Sequence, residues 1–127
     1  MTSPPQPRLL DVEDLLRIAD RLGLPVRDTG LLAGAAARPA ASAFGQDAYP
    51  TLEQKAAAVM ESIVRSHPLV DGNTRLGWLA LVITLDMNGV RLEAPDDEAV
   101  DLTIRVAAGL AGLAEVVAAI EDWTRTG

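Results

Sequence analysis

From Asn73 to Asn88 the chain is apolar at nearly every position after Arg75: Leu76, Trp78, Leu79, Leu81, Val82, Ile83, Leu85 and Met87. A helix that is apolar round most of its circumference cannot lie on a surface, so this segment predicts a buried central helix on which the others pack. Asn88-Gly89 ends it, because glycine accepts the left-handed backbone that closes a helix. Further helical patterns lie on both sides, with no internal repeat. The 127 residues therefore predict one domain over residues 9–127, an all-α bundle of about six helices, behind a loose, proline-containing lead-in over residues 1–8.

Cap residues set the expected boundaries. Asp11 opens a helix over about residues 12–22, with Val12, Leu15, Leu16, Ala19 and Leu22 on one face and Gly23 as terminator. Asp28 caps a short alanine-rich helix over residues 29–37, and Thr51 with Gln54 forms a capping box for a helix that ends near Ser66. Beyond Gly89, a brief extended link through Val90 and Leu92 leads to helices over about residues 97–109, with Asp96 placed to cap the first, and 113–123. Between the second and third helices, residues 38–50 carry two prolines, a glycine and the chain's only Phe and Tyr. That composition predicts an irregular loop, with Phe44 and Tyr49 as buried anchors.

Composition removes several classes of function. Without cysteine there are no disulfides, zinc–thiolate sites or thiol nucleophiles. A formal net charge of −7 disfavours a nucleic-acid partner, which needs a basic face. The start Met1-Thr2-Ser3-Pro4-Pro5 has neither the basic nor the apolar part of a signal peptide, and no apolar run reaches membrane-spanning length. The expectation is a soluble, cytoplasmic protein with no membrane partner. Arginine supplies all but one of the 11 basic residues, so lysine chemistry has a single candidate, Lys55.

Chemistry concentrates in one place. The stretch His67-Pro68-Leu69-Val70-Asp71-Gly72-Asn73-Thr74-Arg75 joins the end of one helix to the start of the apolar one and holds the only histidine. The first N–H groups of a helix lack intrahelical partners and lie at the positive end of its dipole, which draws anions. Gly72 would allow close approach of a ligand oxygen, Asn73 and Thr74 add short polar side chains, and Arg75 adds bidentate donors for phosphate. Asp71 is a hard oxygen ligand suited to magnesium on the same phosphates, and His67 takes a proton near neutral pH. A purely structural reading of the same residues stands beside this one: Pro68 and Gly72 as a turn, Asp71 or Asn73 as an N-cap, and His67 as a cation at a helix C-terminus.

The string HPLVDGNTR resembles the core motif of the Fic/Doc family, H-x-F-x-D/E-G-N-G/K-R, with His, Asp, Gly, Asn and Arg in register. The context is similar to the Doc (death on curing) branch: Arg38-Pro39, Phe44-Gly45, Tyr49-Pro50-Thr51-Leu52 before an alanine-rich helix, and Asn88-Gly89 after the motif helix. Leu69 stands where the family usually has phenylalanine. Thr74 replaces the lysine of Doc kinases or the glycine of Fic adenylyltransferases, and Trp78 stands where adenylyltransferases carry a second arginine.

The resemblance implies a toxin of a type II toxin–antitoxin pair that moves a phosphoryl group from ATP, with Mg2+, to a hydroxyl of a translation factor, elongation factor Tu by family analogy, and so blocks translation. It makes His67 the general base, Asp71 the magnesium ligand, Gly72, Asn73 and Thr74 the anion cradle, and Arg75 the cation on the transferring group. Arg65 is implied as a further target or ATP contact, although a cation ending a helix needs no such role. The segment before the third helix corresponds to a flap that aligns the target by strand addition. A Phd-type antitoxin that folds a helix into a groove is the implied partner. The alternatives are transfer of AMP, or a catalytically weakened member acting mainly as an antitoxin-binding protein.

Overall fold

Asp11 accepts a hydrogen bond from the Asp14 N–H (2.8 Å), and the Asp14 carboxylate accepts one from the Asp11 N–H (3.0 Å). This reciprocal box starts α1, Val12–Arg21. In the computed structural model, which describes residues 6–124, the same logic starts α2, Thr29–Ala37, from Asp28, and α3, Leu52–Ser66, from the box of Thr51 and Gln54. Then come α4, Asn73–Met87, α5, Asp96–Ala107, and α6, Leu113–Trp123. The fold is all-α, as expected. Pro95, one residue earlier than the expected Asp96, is the N-cap of α5.

The central helix is α3, not α4. Its Ala56, Ala57, Met60 and Val64 pack with Leu81 and Leu85 of α4, Leu102 and Val106 of α5, and Val116, Ile120 and Trp123 of α6. Its Val59 and Ile63 belong to a second cluster, together with Leu15 of α1, Leu32 of α2, and Leu69, Leu76 and Ala80. One helix thus serves both halves of the core, each large apolar side chain contributing about 1.5–3 kcal/mol of burial. Small residues let α4 lie close to it: a Cβ on Gly77 would fall 2.5 Å from Val64 Cγ1 and 3.3 Å from the Met60 carbonyl oxygen. Of the remaining apolar residues of α4, Ile83 and Met87 pack against the second half of the core, while Trp78, Leu79 and Val82 are only half-buried and line a surface groove. All-round apolarity in this helix therefore serves a core on one side and a groove on the other.

The stretch expected to be irregular contains a short helical turn, Arg38–Ala40, and a two-stranded antiparallel hairpin, β1 (Ser42–Ala43) and β2 (Gln46–Asp47). Phe44 (φ 54°) and Gly45 (φ 78°) form its turn, both left-handed, the pattern whose twist matches a tight hairpin. Phe44 is fully exposed at the tip, so it is no buried anchor. Tyr49 is half-buried, and its hydroxyl accepts from Arg38 Nε at 2.7 Å. Arg38 also donates to Glu61 Oε1 (2.7 Å), Ser62 Oγ (3.1 Å) and the Ala58 carbonyl (3.2 Å), fixing the hairpin's base to α3. Burial alone would lower the Arg38 pKa, but the bonds to Glu61 and Tyr49 outweigh it and hold the pKa above the ordinary arginine value.

Lys55 is buried, its ammonium 3.3 Å from both the Pro39 carbonyl and the Asp47 carboxylate, so the only lysine is a strut for the hairpin. At the other end of the chain, residues 1–5 of the expected lead-in lie outside the described residues. Its last residue is tethered: the Arg8 N–H donates to Asn88 Oδ1 (2.8 Å) and Asn88 Nδ2 donates to the Arg8 carbonyl (2.9 Å), at the C-terminal end of α4.

Candidate active site

His67 caps α3 in the left-handed conformation (φ 56°, ψ 60°), its N–H donating to the Ile63 carbonyl at 3.2 Å. For a residue with a Cβ this costs on the order of 1 kcal/mol, so neighbouring structure must hold it. The chain then turns through Pro68 and Leu69, both buried, with Leu69 sunk in the core. Leu69, which stands where the family usually has phenylalanine, thus anchors the loop in the core. His67 and Asp71 remain exposed on either side of that anchor.

The α1–α2 linker braces the loop. Val26 pairs with Leu69 as an isolated antiparallel bridge, the Arg27 and Asp28 N–H groups both donate to the Pro68 carbonyl (2.8 and 3.0 Å), and the Val70 N–H donates to the Pro25 carbonyl (3.0 Å). The Arg27 guanidinium donates to the His67 carbonyl, through Nε at 3.1 Å and through a terminal nitrogen. Leu24 lies under Gly72, where an added Cβ would fall 2.7 Å from a Leu24 methyl. Gly72 (φ 82°) is therefore required by its backbone conformation and by packing against Leu24 rather than by room for a ligand. The sequence marks Asp28 as a helix cap, but nothing in it flags residues 24–28 as a brace for this loop, since backbone pairing between segments about 40 positions apart leaves no side-chain signature.

Asn73 likewise differs from the expectation of a cradle side chain. Its Oδ1 accepts from the Leu69 N–H (2.9 Å) and its Nδ2 donates to the Leu69 carbonyl (3.2 Å), so the amide splints the loop. What Asn73 offers a ligand is its backbone N–H. The first bond of α4 runs from the Leu76 N–H to the Gly72 carbonyl (3.0 Å) and no side chain caps the helix, leaving the N–H groups of Asn73, Thr74 and Arg75 without an intrahelical acceptor. Thr74 and Arg75 are exposed. One oxygen of Asp71 accepts from the Gly72 N–H at 2.8 Å; the other has no partner among the described residues.

Thr74 and Arg75 stand at the rim of a groove of about 760 Å³ between α4 and α5, lined by Trp78, Val82, Val100 and Ile104 among others. Trp78 meets Trp123 edge to face, ring centroids 6.1 Å apart. Arg65 lies elsewhere: it borders a separate cavity of about 500 Å³ between α2 and α3, with its guanidinium 3.4 Å from where a Cβ on Gly109 would sit. The fold thus gathers His67, Asp71, Gly72, Asn73, Thr74 and Arg75 in one surface loop and helix end and leaves Arg65 on the α2–α3 side.

Among the described residues no three His, Cys, Asp or Glu side chains cluster as a metal cage. A lone exposed carboxylate with a free oxygen fits an ion such as magnesium, which keeps waters and takes most of its other ligands from a nucleotide's phosphates. The exposed imidazole, the carboxylate, three outward N–H groups and a guanidinium together can hold a polyanion and accept a proton beside it.

Residues 9–85 match the model of the Fic/DOC family. The chain is also 52% identical over 91 residues to Toxin Doc of Mycolicibacterium smegmatis, an alignment covering 69% of this chain and 70% of that protein.

Proposed function

Because the chain belongs to the Fic/DOC family, we propose that it is the toxin of a toxin–antitoxin pair and that it transfers the γ-phosphoryl group of ATP to a hydroxyl of a translation factor, elongation factor Tu by family analogy. The observation that supports this reading is the junction of α3 and α4, where an exposed imidazole, an exposed carboxylate with a free oxygen and a helix start with no side-chain cap lie within one short loop. Phosphoryl transfer rewards positioning and charge neutralisation above covalent chemistry.

His67 takes the proton of the target hydroxyl as its oxygen bonds to phosphorus and the bond to the ADP oxygen breaks. Asp71 is the residue that would hold Mg2+, through its free oxygen, and the ion when bound would supply charge neutralisation for the phosphates. The N–H groups of Asn73, Thr74 and Arg75, with the Arg75 guanidinium, hold those oxygens. Thr74 contributes a hydroxyl donor in place of a cation, so Arg75 carries the positive charge alone. The hairpin with Phe44 at its tip is suited to present a target strand.

Two features weigh against transfer of AMP: Trp78 occupies the place of the second arginine, and its ring is engaged with Trp123. The test is mass spectrometry of a bacterial lysate incubated with the protein and magnesium–ATP, repeated with label in the α- or γ-phosphate. A gain of one phosphate on a translation factor, lost in His67→Ala, is the expected result; a gain of one AMP assigns the other transfer. No modification together with no ATP binding by calorimetry leaves an antitoxin-binding protein.

For the antitoxin, the groove beside α4 is the site we favour. It is apolar, as the face of an amphipathic helix requires, and a helix lying in it would cover Thr74 and Arg75. Val100 and Ile104 are more than half exposed there, so Val100→Asp with Ile104→Asp leaves the core intact. That double variant is expected to lose antitoxin binding at least tenfold, measured by calorimetry, and to stay toxic in its presence.

A further inference from the structure

We infer that Arg27 is a positioning residue for His67, an inference that rests on the transfer reading above for its effect on turnover. The last carbonyls of a helix have no intrahelical donor, and at the end of α3 two of them face Arg27: its guanidinium donates twice to the His67 carbonyl, once through Nε at 3.1 Å, and reaches the Ser66 carbonyl at 3.5 Å. A cation is also favoured at that end of the helix dipole. The backbone beside it adds three bonds, Arg27 and Asp28 N–H to Pro68 and Val70 N–H to Pro25, so the linker grips the loop continuously from Ser66 to Val70.

The consequence for His67 is orientation. Its left-handed backbone is unfavourable with a Cβ present and persists only where its surroundings over-determine it. The carbonyl is the part of that peptide held by a charged side chain. Releasing it frees the left-handed backbone of His67 to relax, and with it the direction in which Cβ and the imidazole leave Cα, whereas a catalytic group must be held to within about 0.5 Å. Arg27 is itself exposed and packs no core, so its loss opens no cavity and frees the loop instead.

The experiment compares wild type with Arg27→Ala and Arg27→Lys. In Arg27→Ala, kcat for transfer to the translation factor falls on the order of 10- to 100-fold. KM for ATP stays within about twofold, because the free N–H groups of α4 do not touch Arg27. Arg27→Lys, which keeps the charge and one donor to the His67 carbonyl, recovers part of kcat. Native-state hydrogen exchange at the Asp28 and Val70 amides, whose bonds cross between linker and loop, becomes about tenfold faster in Arg27→Ala while the melting temperature holds.

Unchanged kcat and unchanged exchange overturn the inference and leave the transfer reading standing. A melting temperature that falls along with activity, with exchange raised along the whole chain, overturns it too, since Arg27 would then act on the fold at large. If wild type transfers nothing, the transfer reading fails, and faster exchange confined to residues 25–28 and 66–70 still upholds the clamp while unchanged exchange overturns it.

Discussion

The loop after α3 and the hairpin before it are built on opposite plans. The loop places an imidazole and a carboxylate at the surface but fixes its own backbone from beneath, through Leu69 in the core, the Asn73 amide and the backbone of residues 25–28. The hairpin is fixed only at its base, by Arg38 and Lys55, and ends in a fully exposed Phe44 on two left-handed residues. Chemistry needs groups that do not move between turnovers, while a surface that receives another protein gains from a tip that adapts. The lesson is that two connections flanking one helix can be held to very different degrees of constraint in one small domain.

The contrast breaks if changes in the loop prove mild or changes at the hairpin tip severe. The largest effect is expected for Gly72→Ala, which meets Leu24 and forces a Cβ into a left-handed backbone. It should cost about 3 kcal/mol in denaturant unfolding and remove transfer activity. Asn73→Ala comes next. It strips both partners from the Leu69 backbone, at about 2 kcal/mol, with activity down more than stability explains.

At the hairpin's base, Lys55→Ala leaves the Pro39 carbonyl short of a donor and frees Asp47, which is already partly solvated. The expected loss is about 1 kcal/mol, with a rise in KM for the protein target and little change in KM for ATP. Phe44→Ser is the smallest in stability, within about 0.5 kcal/mol, because the ring touches nothing buried. Its effect should appear only in KM for the target. A Phe44→Ser loss equal to that of Gly72→Ala would mean that the tip is a structural support and the comparison is wrong.

How much of this was legible in the sequence follows the same division. Local signals carried well: Asp11, Asp28, Thr51 with Gln54, and Gly89 mark helix ends because a cap is satisfied within four residues. The motif stood out because its members are adjacent, and the structure keeps them on one loop. Non-local facts did not carry. The brace from residues 24–28 is mainly backbone pairing between segments about 40 positions apart, with the Arg27 guanidinium added to it, and no residue type announces it. Asn73 looked like a ligand contact because an amide suits a phosphate and a peptide group equally. Phe44 looked buried because large aromatics usually are; strands of 2 residues are too short for alternation to reveal a hairpin. The central role of α3 was hidden by its alanines, which read as weakly apolar yet let four other helices approach.

The paired hydrogen bonds between Arg8 and Asn88 bear on how the protein can be handled. They lie at the opposite end of α4 from Gly72, a helix of 15 residues and so about 22 Å long at 1.5 Å per residue. A purification tag or fluorescent fusion attached at Arg8 would start from that remote pole, which leaves the reactive face clear for immobilisation and pull-down.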